Sequence, residues 1–244
     1  PMLMSFEKLL ELGEKIDKER PGLYEKIVAG RESEDTASII YTSGTTGPPK
    51  GAQISHQNYL WIARQSQKIT KLSVDDETIS FLPLNHVYEQ IFDLMMHLTT
   101  GHIVNFTENT DTVMNDLRDV SPTLFHAVPR IWEKYHSGIV LKMADATWLK
   151  RTVFNLAFKI GTTYNGFKLA GKPIPWYLFL GYQLAYFSVF WKLKQRLGFD
   201  KVRLGFSGAA PISHEVLKFF QSIGIPIREG YVLTETTGIT HMSE

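Results

Sequence analysis

The chain has 244 residues, 43% hydrophobic and 21% charged, with 26 Lys or Arg against 25 Asp or Glu and no cysteine. This composition excludes a disordered or low-complexity chain, and the charge balance excludes a dedicated nucleic-acid binder. The missing cysteines exclude a disulfide scaffold, a thiolate metal site and a cysteine nucleophile, and they are compatible with a cytoplasmic protein. Length alone allows one or two domains. The first residues, Pro1 to Glu7, lack the basic and apolar regions of a signal peptide. A start at proline reads either as missing residues or as an excised piece.

No repeat of fixed period is visible, so solenoids and propellers are not expected. Residues 5–19 predict a charged helix. Residues 37–41 predict a buried strand, followed by a loop rich in Gly, Thr and Pro. Ser55 is placed to cap a helix carrying Tyr59, Leu60, Ile62 and Ala63. Strands are expected at 79–82, 102–106, 123–127 and 202–206, with a short last strand at 225–227. Helices are expected at 91–98, 109–120, 130–142, 147–170, 176–197 and 213–223. This alternation predicts an α/β fold with a mostly parallel sheet. Ligands then bind beyond the carboxyl ends of the strands, which makes the loops after them the places to look for chemistry.

The richest such loop is Tyr41-Thr42-Ser43-Gly44-Thr45-Thr46-Gly47-Pro48-Pro49-Lys50-Gly51. Its glycines can turn backbone N–H groups toward an anion, its hydroxyls donate further hydrogen bonds, and Lys50 adds a point charge. That chemistry suits a polyphosphate, and composition alone leaves an ordinary surface loop equally open. The spacing is not that of a Walker A loop, because Pro49 stands where the second glycine belongs.

The eleven-residue string resembles the phosphate-binding signature of the AMP-forming acyl-adenylating superfamily. The resemblance covers about residues 5 to 243. It implies part of that family's large N-terminal α/β domain, with mostly parallel sheets flanked by helices and a helical insertion around 130–198. On that resemblance Thr42, Ser43, Gly44, Thr45, Thr46, Gly47 and Lys50 hold the triphosphate of ATP. Further landmarks follow in the family's order. Phe81 to Glu89 is similar to a second motif, whose histidine, here His86, lies by the substrate carboxylate and α-phosphate. Its role would be orientation and electrostatics, since a carboxylate nucleophile is already ionised at neutral pH. Ser207-Gly208-Ala209-Ala210-Pro211 resembles the stretch lining the adenine pocket; read without the family, it is a strand-to-helix turn with Ser213 as cap. Glu229 to Gly238 is similar to the Tyr-Gly-x-Thr-Glu motif. The resemblance puts Gly230 and Tyr231 by adenine, Thr234 on the α-phosphate, and Glu235 on Mg²⁺. Val232 stands where the family usually has glycine, and its branched side chain is expected to restrict the backbone and crowd the nucleotide.

Val128 to Lys134 resembles a string of the long-chain fatty acyl-CoA synthetase branch, and Lys142 to Lys150 is similar to its bubblegum-type subgroup. The implied activity is ATP-dependent activation of a fatty acid to an acyl-adenylate and then to acyl-CoA, with His86, Thr234 and Glu235 at the reacting groups. The substrates would be fatty acid, ATP and CoA. The family's ribose-binding aspartate and C-terminal lysine are not found here. The chain, residues 1–244, therefore reads as the central part of one large domain, inactive alone, whose N- and C-terminal portions are missing.

Residues 174–191 carry no charge, and eight of the eighteen are aromatic. The stretch is at the lower limit for a membrane span, and its rings and flanking cations favour the interface. A span would also split one catalytic domain across the bilayer. Two readings stay open: a helix packed on its own domain, or a peripheral membrane-contact helix on the cytosolic face. Two other functions are weighed. Gly205 to Ala209 nearly matches a serine-hydrolase elbow with Ser207 as nucleophile, which Glu229 and His241 could complete. A non-catalytic lipid-surface module on a degenerate adenylating fold is the second.

Overall fold

The computed structural model describes residues 3–43 and 47–243. It opens on α1 (Phe6–Glu19) and α2 (Leu23–Ala29), neither of which buries a residue. Ser5 caps α1 by accepting the Lys8 N–H. Next comes an antiparallel hairpin of β1 (Thr36–Thr42) and β2 (Lys50–Ser55). The expected strand is thus present but not buried. Among the described residues only β2 pairs with it, so its sides alternate: Ile40 is in the core while Ile39 and Tyr41 are exposed. Ser55 caps α3 (His56–Thr70) as expected, in a reciprocal box with Asn58.

The centre is parallel. β3 (Glu77–Ser80) pairs with β4 (Ile103–Phe106). β5 (Leu124–Ala127), β6 (Leu204–Ser207) and β7 (Ile227–Leu233) form a second parallel set. The Thr123 N–H donates to Glu77 O at 2.9 Å, tying the two sets together where β3 and β5 begin. Between β3 and β4 runs α4, built from Val87–Glu89, a π-helical Gln90–Met95 and Met96–Thr100; α5 (Val113–Val120) leads into β5. The last strand differs from expectation. It begins at Ile227, continues through the Tyr231 motif, and folds back as β8 (Gly238–Met242), antiparallel to β7. Thr237 and Gly238, both at positive φ, make the reversal.

The helical insertion comprises α6 (Pro129–Ala144), α7 (Trp148–Leu169) and α8, a continuous run of Trp176–Ala185, π-helical Tyr186–Phe190 and Trp191–Leu197. After β6, α9 (His214–Ser222) is capped by Ser213. Trp132 of α6 is fully buried, edge-on to Phe125 and Phe220 with centroids 5.1 and 5.0 Å away, and its Nε1–H donates to Phe206 O at 3.0 Å. Gly161 lets α7 approach α9: a Cβ there would sit 2.3 Å from Ser222 O.

The apolar 174–191 segment is a helix packed by one side only. Ala185 and Phe190 enter the core, five residues apart because the π-turn adds a residue to that turn. Tyr182 stacks on Tyr164 at 4.1 Å. Its other side leaves Trp176 74% and Leu184 73% exposed. Among the described residues no helix is long and apolar enough to cross a membrane.

Candidate nucleotide site

The phosphate-loop residues flank the tip of the β1–β2 hairpin, where Thr42 and Lys50 are cross-strand partners. Gly47 has φ +99°, a conformation that favours glycine. Ser43 is exposed. Gly44, Thr45 and Thr46 lie outside the described residues. The decisive contact comes from the other end of the chain. Strand β7 runs into a 3₁₀ turn, Thr234–Thr236. There the Thr42 Oγ1–H donates to Glu235 Oε1 at 3.2 Å. The loop and the glutamate, 193 residues apart, thus meet at the surface. A solvent-exposed carboxylate beside a hydroxyl fits magnesium, which takes carboxylate, phosphate and water oxygens.

Between the turn after β6 and the β7–β8 hairpin is a cavity of 470 Å³ lined by Ala209, Ala210, Gly230, Tyr231, Val232 and His241, among others. Four of these are predicted adenine-side residues, drawn from two strand ends that pair in register, Ser207 opposite Glu229. Ala209 holds φ +69°, turning the chain sharply after β6. Gly208 lies behind the cavity: a Cβ there would stand 3.3 Å from Val232 Cγ2 and 3.4 Å from Tyr88 Cε2. Val232 lies in β7 where the pairing with β8 shifts register between Tyr231 and Val232, and its side chain packs partly into the core while lining the cavity. Glu229 pins the turn by accepting the Ile212 N–H at 3.2 Å.

His86 caps α4. Its Nδ1 accepts the Tyr88 N–H at 3.2 Å, which leaves the proton of the neutral ring on Nε2, on an exposed side chain. Tyr88, two residues on, lies against Gly208, so the His86 turn abuts the end of β6. The Ser207 hydroxyl is buried and has no hydrogen-bond partner among the described residues. Among the described residues it bonds to no histidine or carboxylate, and positive φ falls at Ala209 instead. A serine-hydrolase elbow is therefore absent from this position.

Sequence reading missed the support beneath His86. Glu89 and Asp93 of α4 and His126 of β5 are all buried, their ligand-type atoms within 4.8 Å of one another. His126 Nε2 is 3.2 Å from both Glu89 Oε2 and Asp93 Oδ2. Burial alone would lower the imidazole, but Asp93 and Glu89 outweigh it and carry it up to about 10. The same proton holds Asp93 below the usual carboxylate range, against the opposing effect of burial. A protonated imidazole thus takes the place a metal would need. Glu89 Oε1 meanwhile accepts from Ser80 Oγ at 2.6 Å and from the Leu82 N–H at 3.2 Å, fixing the loop that leads to His86. The available signal was two acids four apart on an apolar helix, with a histidine in an apolar strand.

The family described as AMP-binding enzyme matches residues 4–244. The long-chain-fatty-acid–CoA ligase ACSBG2 of Homo sapiens is 37% identical over 243 residues, covering 97% of this chain and 35% of that protein. The putative fatty-acid–CoA ligase fadD11 of Mycobacterium tuberculosis is 36% identical over 213 residues, covering 87% and 37%. The chain spans about a third of the length of these curated relatives. Among solved structures, a long-chain-fatty-acid-CoA ligase (FadD1) from Archaeoglobus fulgidus superposes with TM-score 0.55 at 18% identity, over 86% of this chain and 34% of that one. That likeness is one of fold. With the family match running over nearly its whole length, the chain belongs to the AMP-binding enzyme family.

Proposed function

We propose that this chain is the nucleotide-binding segment of an ATP-dependent long-chain fatty acyl-CoA ligase. The observation that carries the reading is the Thr42–Glu235 hydrogen bond, which joins the phosphate loop to the magnesium-site glutamate. Similarity to long-chain ligases of the ACSBG2 type supports the substrate class. In the reaction, a carboxylate oxygen of the fatty acid bonds to the α-phosphorus of ATP and pyrophosphate leaves. The CoA sulfur then bonds to the acyl carbon and AMP leaves. The protein's part is positioning and charge neutralisation. Lys50, the hydroxyls of Thr42, Ser43, Thr45 and Thr46, and the loop glycines Gly44 and Gly47 hold the triphosphate. Ser207 to Ala210, Gly230 and Tyr231 form the adenine side, and Thr234 contacts the α-phosphate. His86 donates from Nε2 to the carboxylate or the phosphate. Magnesium at Glu235 would neutralise charge on the phosphates.

We assign residues 1–244 to the central part of the large N-terminal domain. The enzyme works in the cytoplasm, with the 174–191 helix in peripheral contact with a membrane. The test uses the full-length protein with a long-chain fatty acid, ATP, magnesium and CoA. Stoichiometric AMP, pyrophosphate and acyl-CoA are expected. Release of ADP, or no fatty-acid-dependent pyrophosphate, would refute the reading.

A further inference from the structure

The insertion carries a charge asymmetry that the nucleotide site does not use. Between Asp145 and Asp200 the chain has eight Lys or Arg and no Asp or Glu, so the remainder of a nearly neutral molecule is net acidic. This stretch is the antiparallel α7–α8 hairpin. Along α8 the exposed Trp176, Leu180, Leu184, Phe187 and Trp191 recur every three or four residues, forming one apolar stripe. On α7, Trp148, Leu149, Val153 and Leu156 are likewise exposed. A groove of 390 Å³ between α7 and the end of α8 has Leu149, Val153 and Leu193 in its lining beside Lys150, Lys192 and Arg196. Those three cations are exposed, and none forms an ion pair among the described residues.

We propose that the outer face of the α7–α8 hairpin docks on an anionic phospholipid surface, with its rings and leucines in the acyl boundary and its cations among the headgroups. Trp and Tyr favour that boundary. A helix with an apolar stripe and basic residues lies in the plane of the membrane rather than across it. The absence of acids over the whole hairpin is the complement of a negative surface, which attracts each Lys or Arg near it. Seven of the eight cations are exposed, Lys194 being buried, and a docking face without charge preference would not need those seven free of compensating acids. The proposal deepens the peripheral contact named above and rests on that reading for its purpose: a water-insoluble substrate is met where it dissolves.

The test is co-sedimentation of the full-length protein, without substrates, with vesicles of phosphatidylcholine alone or of phosphatidylcholine with phosphatidylserine. Affinity is expected to be at least about tenfold higher for the anionic vesicles and to fall as salt is raised. The triple variants Trp176→Ser/Leu180→Ser/Trp191→Ser and Lys150→Gln/Lys192→Gln/Arg196→Gln should each weaken it by about tenfold. All six side chains are exposed, and circular dichroism reports whether each variant stays folded; if the serine variant unfolds, the glutamine variant decides. Equal binding to both vesicle types would overturn the proposal. So would anionic binding that neither variant weakens, or no sedimentation at all, as when the face pairs with a second copy or is covered by another part of the protein. Vesicle binding needs neither ATP nor fatty acid. A protein that sediments but makes no acyl-CoA would overturn the ligase reading and leave the docking face standing.

Discussion

His126 lies wholly buried against two carboxylates, and its proton determines when that arrangement is favourable. Its value rises from about 6.5 in the unfolded chain to about 10 in the fold. A raised value contributes stability that is fully present below about pH 6.5, declines above it, and is gone once pH passes about 10. Asp93 is shifted the other way, so its contribution is present above its unfolded value and is lost as pH falls through the folded one. Replacing the cation, His126→Gln, leaves two buried acids facing each other. The variant is expected to lose about 3–5 kcal/mol in a denaturant titration at neutral pH, with the difference from wild type shrinking above pH 10. Tyr231 is a different kind of residue. It is 59% exposed beside the cavity, so Tyr231→Ala should leave stability nearly unchanged. AMP binding should weaken by about 1–3 kcal/mol in calorimetry, the usual scale of base stacking on an aromatic ring. Tyr231 could be picked from its motif because the signal is local. His126 could not, because its partner Glu89 lies 37 residues away and nothing in a strand string marks that pairing.

Elements with their own start signals were readable in the same way. Ser55 and Ser213 each accept the N–H three residues on, and both helices begin where those serines placed them. The two hairpins were not readable. In β1 only Ile40 faces the core, so an apolar run mimicked a buried strand. In β7 the apolar pattern is interrupted by Arg228, Glu229 and Gly230, and the expected strand stops at Ile227 where the real one begins. Packing between helices was also hidden, and one helix supplies its own control. Gly161 and Gly166 both lie in α7, yet a Cβ at 161 would meet Ser222 O at 2.3 Å and one at 166 would meet nothing within 4 Å. Gly161→Ala is expected to cost about 1–3 kcal/mol through overpacking, beyond its helix-propensity gain. Gly166→Ala should be neutral or stabilising by up to ~1 kcal/mol. Paired thermal melts check both, and equal melting temperatures would show that α7 and α9 are not in contact there.

Across the whole molecule, two long-range connections tie distant segments together. Arg203, just before β6, grips Asp76, just before β3, at 3.0 Å from Nε and 2.8 Å from Nη2. It also donates to Thr70 O and Lys71 O at the end of α3. Burial would raise the Asp76 carboxyl, but Arg203, Thr123 and the Ser73 N–H hold it at about 2. Its stabilising contribution is therefore present above about pH 3.8 and is lost as pH falls through about 2. Asp76→Asn should cost about 1.5–3 kcal/mol at pH 7, the scale of a charge-assisted hydrogen bond, and less in acid, as read from unfolding midpoints across pH. The second connection is Thr42 to Glu235, which joins two distant motifs of the chain that the proposed function reads as one phosphate site. A double-mutant cycle tests it most directly: Thr42→Val, Glu235→Gln and the pair, in the full-length protein, read by fatty-acid-dependent ATP–pyrophosphate exchange. The two losses should be non-additive, with a coupling of about 1 kcal/mol or more. Losses that add within about 0.5 kcal/mol would mean that the two residues act apart, contradicting a single phosphate site.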